Sequence, residues 1–108
     1  MRYTAMRLMC FFDLPTETKA DLRYYRIFRK SLLANGFQMI QFSVYVRTCP
    51  NRSFAMKYEA LLTKYLPPNG EVRLMMVTEK QYEDMTFLVG KKSQQEEVIG
   101  DKRLVVIE

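Results

Sequence analysis

Histidine is absent from the 108-residue sequence, and cysteine is scarce. The lack of histidine excludes imidazole acid–base chemistry, Ser–His and Cys–His nucleophile pairs and histidine-based metal sites. Any catalysis would therefore depend on carboxylates and a metal ion. The two cysteines, Cys10 and Cys49, show no CxxC spacing, which argues against a zinc site or a disulfide framework. We predict that both are buried thiols.

Glycine and proline are also scarce, with four of each, and no long apolar run is present. Hydrophobic residues make up 48% and charged residues 27%, a composition typical of a folded chain. The apolar run at 8–12 is far shorter than the roughly 20 residues that a membrane span needs, and the N-terminus lacks the apolar core of a signal peptide. We expect a cytoplasmic protein without membrane contact, whose thin core favours dimerisation.

Positive charge is concentrated in the first two-thirds of the chain. Seventeen Lys and Arg against twelve Asp and Glu give a net charge of +5. Residues 1–70 carry eleven basic and four acidic groups, whereas residues 71–108 carry six basic and eight acidic groups. A basic body of this kind indicates a polyanionic partner, because Lys and Arg that displace counterions from phosphates provide most non-specific nucleic-acid affinity.

The first part of the chain has the pattern of a strand followed by a helix. Residues 6–12 are almost entirely apolar, which is typical of a strand covered on both faces. Apolar residues then recur at three- and four-residue spacing and predict a helix over 16–35. Thr16 or Thr18 is the expected cap. The predicted apolar face of this helix consists of Ala20, Tyr24, Ile27, Phe28 and Leu32.

The rest of the body repeats this alternation. Residues 37–47 predict a strand, or two strands with a kink near Gln41, although no turn dipeptide marks a division. A second helix is predicted from Ser53 to 66, followed by a turn and a strand over 71–79. Residues 80–85 have a polar, turn-like pattern.

The order of these elements predicts an α+β fold, the ferredoxin-like βαββαβ unit with an extra C-terminal strand. We place the ferredoxin-like domain at 1–90 and a polar connector with a dimerisation strand at 91–108. The strand at 104–107 is too apolar to lie free in water. We expect it to pair with a sheet edge of its own chain or of a partner, and exchange between two copies would give a homodimer.

Asp13 is the most informative single position, because this carboxylate directly follows the first strand. One interpretation is that Asp13 accepts backbone N–H groups in a turn. The other is that it binds a divalent cation, for which two copies facing each other across a dimer axis would supply more than one anionic ligand. Ser43 could donate to a phosphate, although packing is the favoured interpretation.

The sequence around these positions resembles a known family. Phe-Phe-Asp-Leu-Pro at 11–15, Leu-Leu-Ala-Asn-Gly-Phe at 32–37 and Met-Ile-Gln-Phe-Ser-Val-Tyr at 39–45 are similar to the pattern of the Cas2 family, the second core protein of CRISPR adaptation. The resemblance covers nearly the whole chain. The length and the Asp-Leu-Pro form are similar to the branch from type II systems.

The resemblance implies a homodimer of ferredoxin-like protomers in which each C-terminal strand completes the partner's sheet. It implies a DNA-binding scaffold of the spacer-acquisition complex, which lies between two Cas-one integrase dimers and holds a double-stranded prespacer for integration. It also implies a possible Mg²⁺-dependent endonuclease acting on RNA or DNA, with Asp13 as the catalytic metal ligand.

A scaffold that accepts any spacer sequence should hold phosphates rather than read bases. The candidate phosphate contacts form a helical stripe, with two more arginines beside the following loop, although such a stripe can also be only a solvated face. A third hypothesis is a ferredoxin-like module that binds protein alone. The candidate contacts are Lys19, Arg23, Arg26, Lys30, Arg47 and Arg52.

Overall fold

The structure, a computed structural model, describes residues 5–89. They form a β-α-β-β-α-β chain followed by a short third helix. The predicted connector and the strand at 104–107 lie outside the described residues. The elements are β1 (Met6–Asp13), α1 (Lys19–Ala34), β2 (Gln38–Gln41), β3 (Val44–Cys49), α2 (Arg52–Thr63), β4 (Glu71–Thr78) and α3 (Glu79–Glu83).

The four strands form one antiparallel sheet in the order β2-β3-β1-β4. This arrangement confirms the predicted α+β, ferredoxin-like architecture. Met6 of β1 pairs with Cys49 of β3, and Asp13 of β1 pairs with Glu71 of β4. We call these two ends of the sheet the Met6 end and the Asp13 end. They provide the frame in which each candidate site residue can be placed.

Both long helices cover one face of the sheet, which we call the helix face. Alternate residues of β1, among them Cys10 and Phe12, contact this layer and belong to the main core. The Phe12 ring meets the Phe28 ring of α1 edge-on, with centroids 5.4 Å apart. Helices cover one face of β1, and on the other face Met9 packs against Tyr82, which explains why the sequence of this central strand is nearly all apolar.

Of the two caps predicted for α1, Thr18 is the one observed, and the predicted apolar face of the helix is wrong at three positions. Thr18 accepts from the backbone N–H of Asp21 in a capping box. The helix is rotated so that Phe28, Ser31 and Leu32 are buried. Adjacent aromatic residues made this rotation ambiguous in the sequence, since Tyr25 rather than Tyr24 contacts the core. The misplaced positions are Ala20, Tyr24 and Ile27, all of which are exposed.

The segment 37–47 contains two strands, which decides between the alternatives that the sequence left open. Phe42 and Ser43 form the turn between β2 and β3. Ser43 has a φ of 64°, in the left-handed region that few non-glycine residues adopt. Ser43 therefore lies in a turn and not on the predicted strand. Its carbonyl accepts the backbone N–H of Phe12 at 3.0 Å, which places this turn beside the end of β1.

Replacing Ser43 by glycine is expected to stabilise the protein. Glycine adopts positive φ without the steric cost that a Cβ brings, so the free energy of unfolding should rise by about 0.5–1 kcal/mol. The measurement is the urea midpoint of Ser43→Gly against the wild type. A lower midpoint with an unchanged slope would show that the Ser43 side chain makes a stabilising contact outweighing its backbone conformation.

Two further boundaries differ from prediction. Helix α2 is capped by Asn51 rather than Ser53, because the Asn51 side chain accepts from the backbone N–H of Phe54 at 2.8 Å. The helix ends at Thr63 instead of 66, ahead of the Pro67–Pro68 pair, which is incompatible with further helical turns.

The segment predicted as a turn at 80–85 contains the short helix α3. Thr78 and Gln81 form a capping box that starts it. Tyr82 of α3 is buried against Met9 and Val46, on the face of the sheet opposite α1 and α2. We call this the second face. No helix within residues 5–89 is long and apolar enough to cross a membrane.

Candidate functional site

Asp13 is the last residue of β1 and is exposed. It continues the alternation of Met9 and Phe11, which belong to the second face, and so it lies on the side of the sheet away from α1 and α2. No residue in the described range 5–89 forms a hydrogen bond or ion pair with its carboxylate. Among the described residues, therefore, none occupies the carboxylate, and none of their backbone N–H groups donates to it as the turn-capping interpretation requires.

The backbone around Asp13 is tightly fixed. Gly70, with a φ of +101°, lies so close that an added Cβ would be 2.7 Å from the Asp13 carbonyl oxygen and 2.8 Å from a Leu14 methyl group. Only glycine fits this turn without displacing the end of β1. On the other side, the β2–β3 turn is held by the Phe12–Ser43 hydrogen bond. Asp13 thus lies at a rigid strand end between two turns.

The carboxylates at this strand end fit a hydrated metal ion but not a closed protein cage. Glu71 is the register partner of Asp13 on β4, and sequence analysis missed it because the pairing joins residues far apart in the chain. The Glu71 carboxylate is 3.4 Å from the Arg73 guanidinium, in an exposed ion pair. No group of three potential metal-binding side chains occurs in the described part of the chain. Mg²⁺ is commonly held by one or two carboxylates, with waters as its other ligands, and Asp13 and Glu71 are the carboxylates that would hold it here.

The predicted basic stripe lies on the opposite side of the molecule. Its four residues are on α1, and all are exposed. The Arg23 guanidinium lies 5.6 Å from the centre of the Tyr24 ring. Within residues 5–89, none of the four forms an ion pair. The four predicted stripe residues, Lys19, Arg23, Arg26 and Lys30, therefore share one exposed side of α1, on the face of the sheet opposite the Asp13 carboxylate.

Arg47 and Arg52 occupy different environments. Arg47 is half-buried, and its Nη1 donates to the Asn35 carbonyl oxygen at 2.8 Å, at the C-terminus of α1. The Arg47 guanidinium also stacks on the Tyr58 ring, 4.5 Å from its centre. Arg52 is the exposed first residue of α2. Arg47 therefore has a structural role that the sequence did not reveal, because both partners are distant in the chain.

On the helix face, positive charge without acidic neighbours is concentrated toward the Met6 end of the sheet. Helix α1 begins at the Asp13 end and finishes at the Met6 end, where α2 begins. Residues 22–58, which include most of α1 and the first half of α2, contain no acidic residue. The same segment contains seven basic residues, namely Arg23, Arg26, Arg29, Lys30, Arg47, Arg52 and Lys57.

A family comparison agrees with these features. The family model described as CRISPR associated protein Cas2 matches residues 6–85. The chain belongs to the Cas2 family. The match begins at the first residue of β1 and extends past the end of α3, so it includes every element of the Cas2 chain described above. The resemblance drawn from the motifs around Asp13, Gly36 and Ser43 is confirmed.

Several curated Cas2 relatives are similar over most of their length. A protein named CRISPR-associated endoribonuclease Cas2 from Ligilactobacillus salivarius is 53% identical over 87 residues, which cover 81% of this chain and 86% of the relative. The protein of the same name from Lacticaseibacillus rhamnosus is 45% identical over 101 residues, covering 94% and 100%. That from Acidovorax ebreus is 44% identical over 101 residues, covering 94% and 99%.

The cysteines of this Cas2 chain are confirmed as buried thiols. Burial in the main core raises the pKa of Cys10 to about 12. Burial also raises the pKa of Cys49, and the nearby charges of Arg47 and Lys57 oppose that rise. Both thiols are therefore protonated and unreactive at neutral pH.

Proposed function

We propose that this Cas2-family chain is a DNA-binding scaffold protein of CRISPR spacer acquisition, which holds a double-stranded prespacer while the Cas-one integrase joins it to the repeat array. The observation that supports this best is the basic helix face on the side of the sheet opposite Asp13. A duplex bound there contacts Lys and Arg that no carboxylate of residues 5–89 neutralises. Binding then requires no chemistry at Asp13.

The character of the helix face suits phosphate recognition. The four stripe residues span twelve residues of α1, a length of about 16 Å along a rigid helix. Long, flexible Lys and Arg side chains on a helix contact phosphate oxygens whatever the DNA sequence is. Base recognition, in contrast, requires side chains that enter a groove. A protein that must accept spacers of unrelated sequence needs only the first kind of contact.

We propose further that the protein is a homodimer. The second face carries the partly buried apolar side chains of Phe11, Ile40 and Val44, and Met75 on β4 is 50% exposed. A second copy that contacts this face would remove apolar surface from water and could bring two Asp13 residues together. Sedimentation equilibrium should give twice the chain mass of 12.9 kDa. A monomer at micromolar concentration would contradict the dimer.

A second candidate function is Mg²⁺-dependent nucleic-acid hydrolysis at Asp13. The free carboxylate and the endoribonuclease name of the relatives favour it. In this alternative, Asp13 holds the metal from a rigid strand end, with Glu71 beside it or a second Asp13 across the dimer axis. Bound Mg²⁺ would supply charge stabilisation for the phosphate and a more acidic water.

Replacing Asp13 by alanine distinguishes the two functions. The scaffold proposal predicts that Asp13→Ala binds a prespacer-length duplex within about twofold of the wild type, because the residue lies away from the basic face. Hydrolysis at Asp13 predicts that cleavage of RNA or DNA needs Mg²⁺ and is abolished in the variant. Binding is measured by fluorescence anisotropy and cleavage by gel, each with and without EDTA. A large drop in duplex affinity would overturn the separation of the two sites.

A further inference from the structure

We propose that Lys57 and Ser53, on the first turns of α2, form an additional phosphate-binding site at the Met6 end of the helix face. The inference rests on the proposed duplex binding and extends it to a second helix. Its ligand is a phosphate of the duplex backbone. Neither residue belongs to the predicted stripe, which lies entirely on α1.

Lys57 is held in place by aromatic rings. Its Nζ lies 4.0 Å from the centre of the Phe54 ring and 5.4 Å from that of Tyr58. A cation over an aromatic face is stabilised without using its N–H groups on a carboxylate. No acidic side chain of residues 5–89 pairs with Lys57. The side chain is therefore positioned in advance and keeps hydrogen-bond donors for an anion.

Arg47 adds charge to this site without being its ligand. Its guanidinium lies 4.5 Å from the centre of the Tyr58 ring and 5.5 Å from that of Phe54, so Arg47 and Lys57 flank the same two rings. The donors of Arg47 are directed inward, since Nη1 binds the Asn35 carbonyl and Nε is buried. Two positive charges beside one aromatic pair raise the local electrostatic potential, which attracts the negative charge of a phosphate.

Ser53 supplies the second donor. It lies four residues before Lys57 on α2, so the two side chains are neighbours on one side of the helix, and both are exposed. A serine hydroxyl and a lysine ammonium are common donors to phosphate oxygens.

The proposed site lies on the same face as the α1 stripe, beyond its last residue. Lys30, the last stripe residue, lies toward the Met6 end of α1, where Arg47 holds the C-terminus of that helix. Helix α2 starts at this end and packs beside α1 on the same face. A duplex lying across the helix face can therefore contact the stripe and Lys57 together.

The test uses Lys57→Gln with Lys64→Gln as its matched control. Lys64 is an exposed cation two turns further along α2, outside the aromatic pair. Affinity for a prespacer-length DNA duplex is measured across a salt series. We expect Lys57→Gln to bind about tenfold more weakly at fixed salt, and the slope of log K against log salt to become shallower by about 0.9 for each phosphate that the variant no longer neutralises. Lys64→Gln should stay within about twofold of the wild type.

The remaining outcomes are distinguishable. Lys57→Arg should keep most of the affinity, and Ser53→Ala should bind slightly more weakly with an unchanged salt slope. Equal weakening in Lys57→Gln and Lys64→Gln would overturn the site, because it would reflect net charge alone. Wild-type binding with no effect of Lys57→Gln would also overturn it while leaving the scaffold proposal intact. A wild type that binds no duplex would instead refute the proposed function.

Discussion

Charge reversal of Arg23 and Arg26 to glutamate is expected to weaken binding of duplex DNA by at least about 100-fold at moderate salt. Both side chains are exposed on α1, and neither forms an ion pair with another described residue. The double variant removes two of the proposed phosphate contacts and adds two charges that repel phosphate. Log K should therefore fall less steeply with log salt, by about 0.9 for each phosphate that is no longer neutralised.

The control for this prediction is Arg73→Glu. Arg73 is an exposed arginine on β4, in a weak ion pair with Glu71. It is the register partner of Phe11 on β1, so both side chains lie on the second face. Arg73→Glu changes the net charge of the protein by the same amount as Arg23→Glu or Arg26→Glu alone. Because the second face also carries the proposed dimer contact, Arg73→Glu is first shown to be dimeric by sedimentation equilibrium. If the dimeric variant weakens binding as strongly as Arg23→Glu alone, the duplex does not prefer the helix face and the proposed orientation is wrong.

Replacing Gly36 by alanine is expected to lower the free energy of unfolding by about 2–4 kcal/mol. Gly36 has a φ of +84°, and an added Cβ would overlap the Arg47 Nη1 atom. The substitution therefore strains the backbone and also displaces the guanidinium that satisfies the Asn35 carbonyl at the end of α1. Guanidinium chloride unfolding, monitored by circular dichroism, measures the change.

A double-mutant cycle with Arg47→Ala separates these two effects. Arg47→Ala alone should cost about 2–3 kcal/mol, because it removes a charged hydrogen bond and the stacking on Tyr58. In that background the overlap is gone, so Gly36→Ala should cost only the strain of positive φ, about 1 kcal/mol. Strict additivity of the two substitutions would contradict the proposed packing of Arg47 against Gly36.

Features set by local sequence could be predicted well. The Thr18 cap, one of the two predicted, bonds to Asp21 only three residues away, and β1 is marked by its own nearly continuous apolar run. The order of strands and helices was enough to predict the ferredoxin-like sheet. Asp13 was correctly placed at a strand end, because the Leu14–Pro15 pair that follows favours chain reversal.

Features set by distant contacts could not be predicted. The turn at Ser43 uses a backbone conformation that serine rarely adopts, and the surrounding sheet compensates for its cost. The role of Arg47 depends on Asn35 and Tyr58, which only the folded sheet brings near it. The rotation of α1 was likewise decided by packing rather than by spacing. The predicted domain boundary at 90 and the exchanged terminal strand stay predictions, since the described residues end at 89.

The placement of Asp13 and the basic stripe on opposite sides of one sheet has a functional consequence. Proteins that cleave a bound strand hold its phosphates next to the catalytic metal. Here the Met6 end of the helix face, with Lys57, is separated from Asp13 by the length of β1, about 23 Å for its eight residues. In the proposed scaffold, a phosphate held by Lys57 therefore lies at the far end of the sheet from Asp13, and one held by Lys19, at the Asp13 end, lies on the opposite face of the sheet from the Asp13 carboxylate.

The most direct measurement is spacer acquisition in cells that carry Asp13→Ala in place of the wild-type protein, with expression of the variant verified by immunoblot. The scaffold proposal predicts that new spacers are acquired at the wild-type rate, whereas the Arg23→Glu, Arg26→Glu variant acquires none. Loss of acquisition in Asp13→Ala, with dimerisation and duplex binding intact, would contradict the proposal and assign the essential step to chemistry at the strand end.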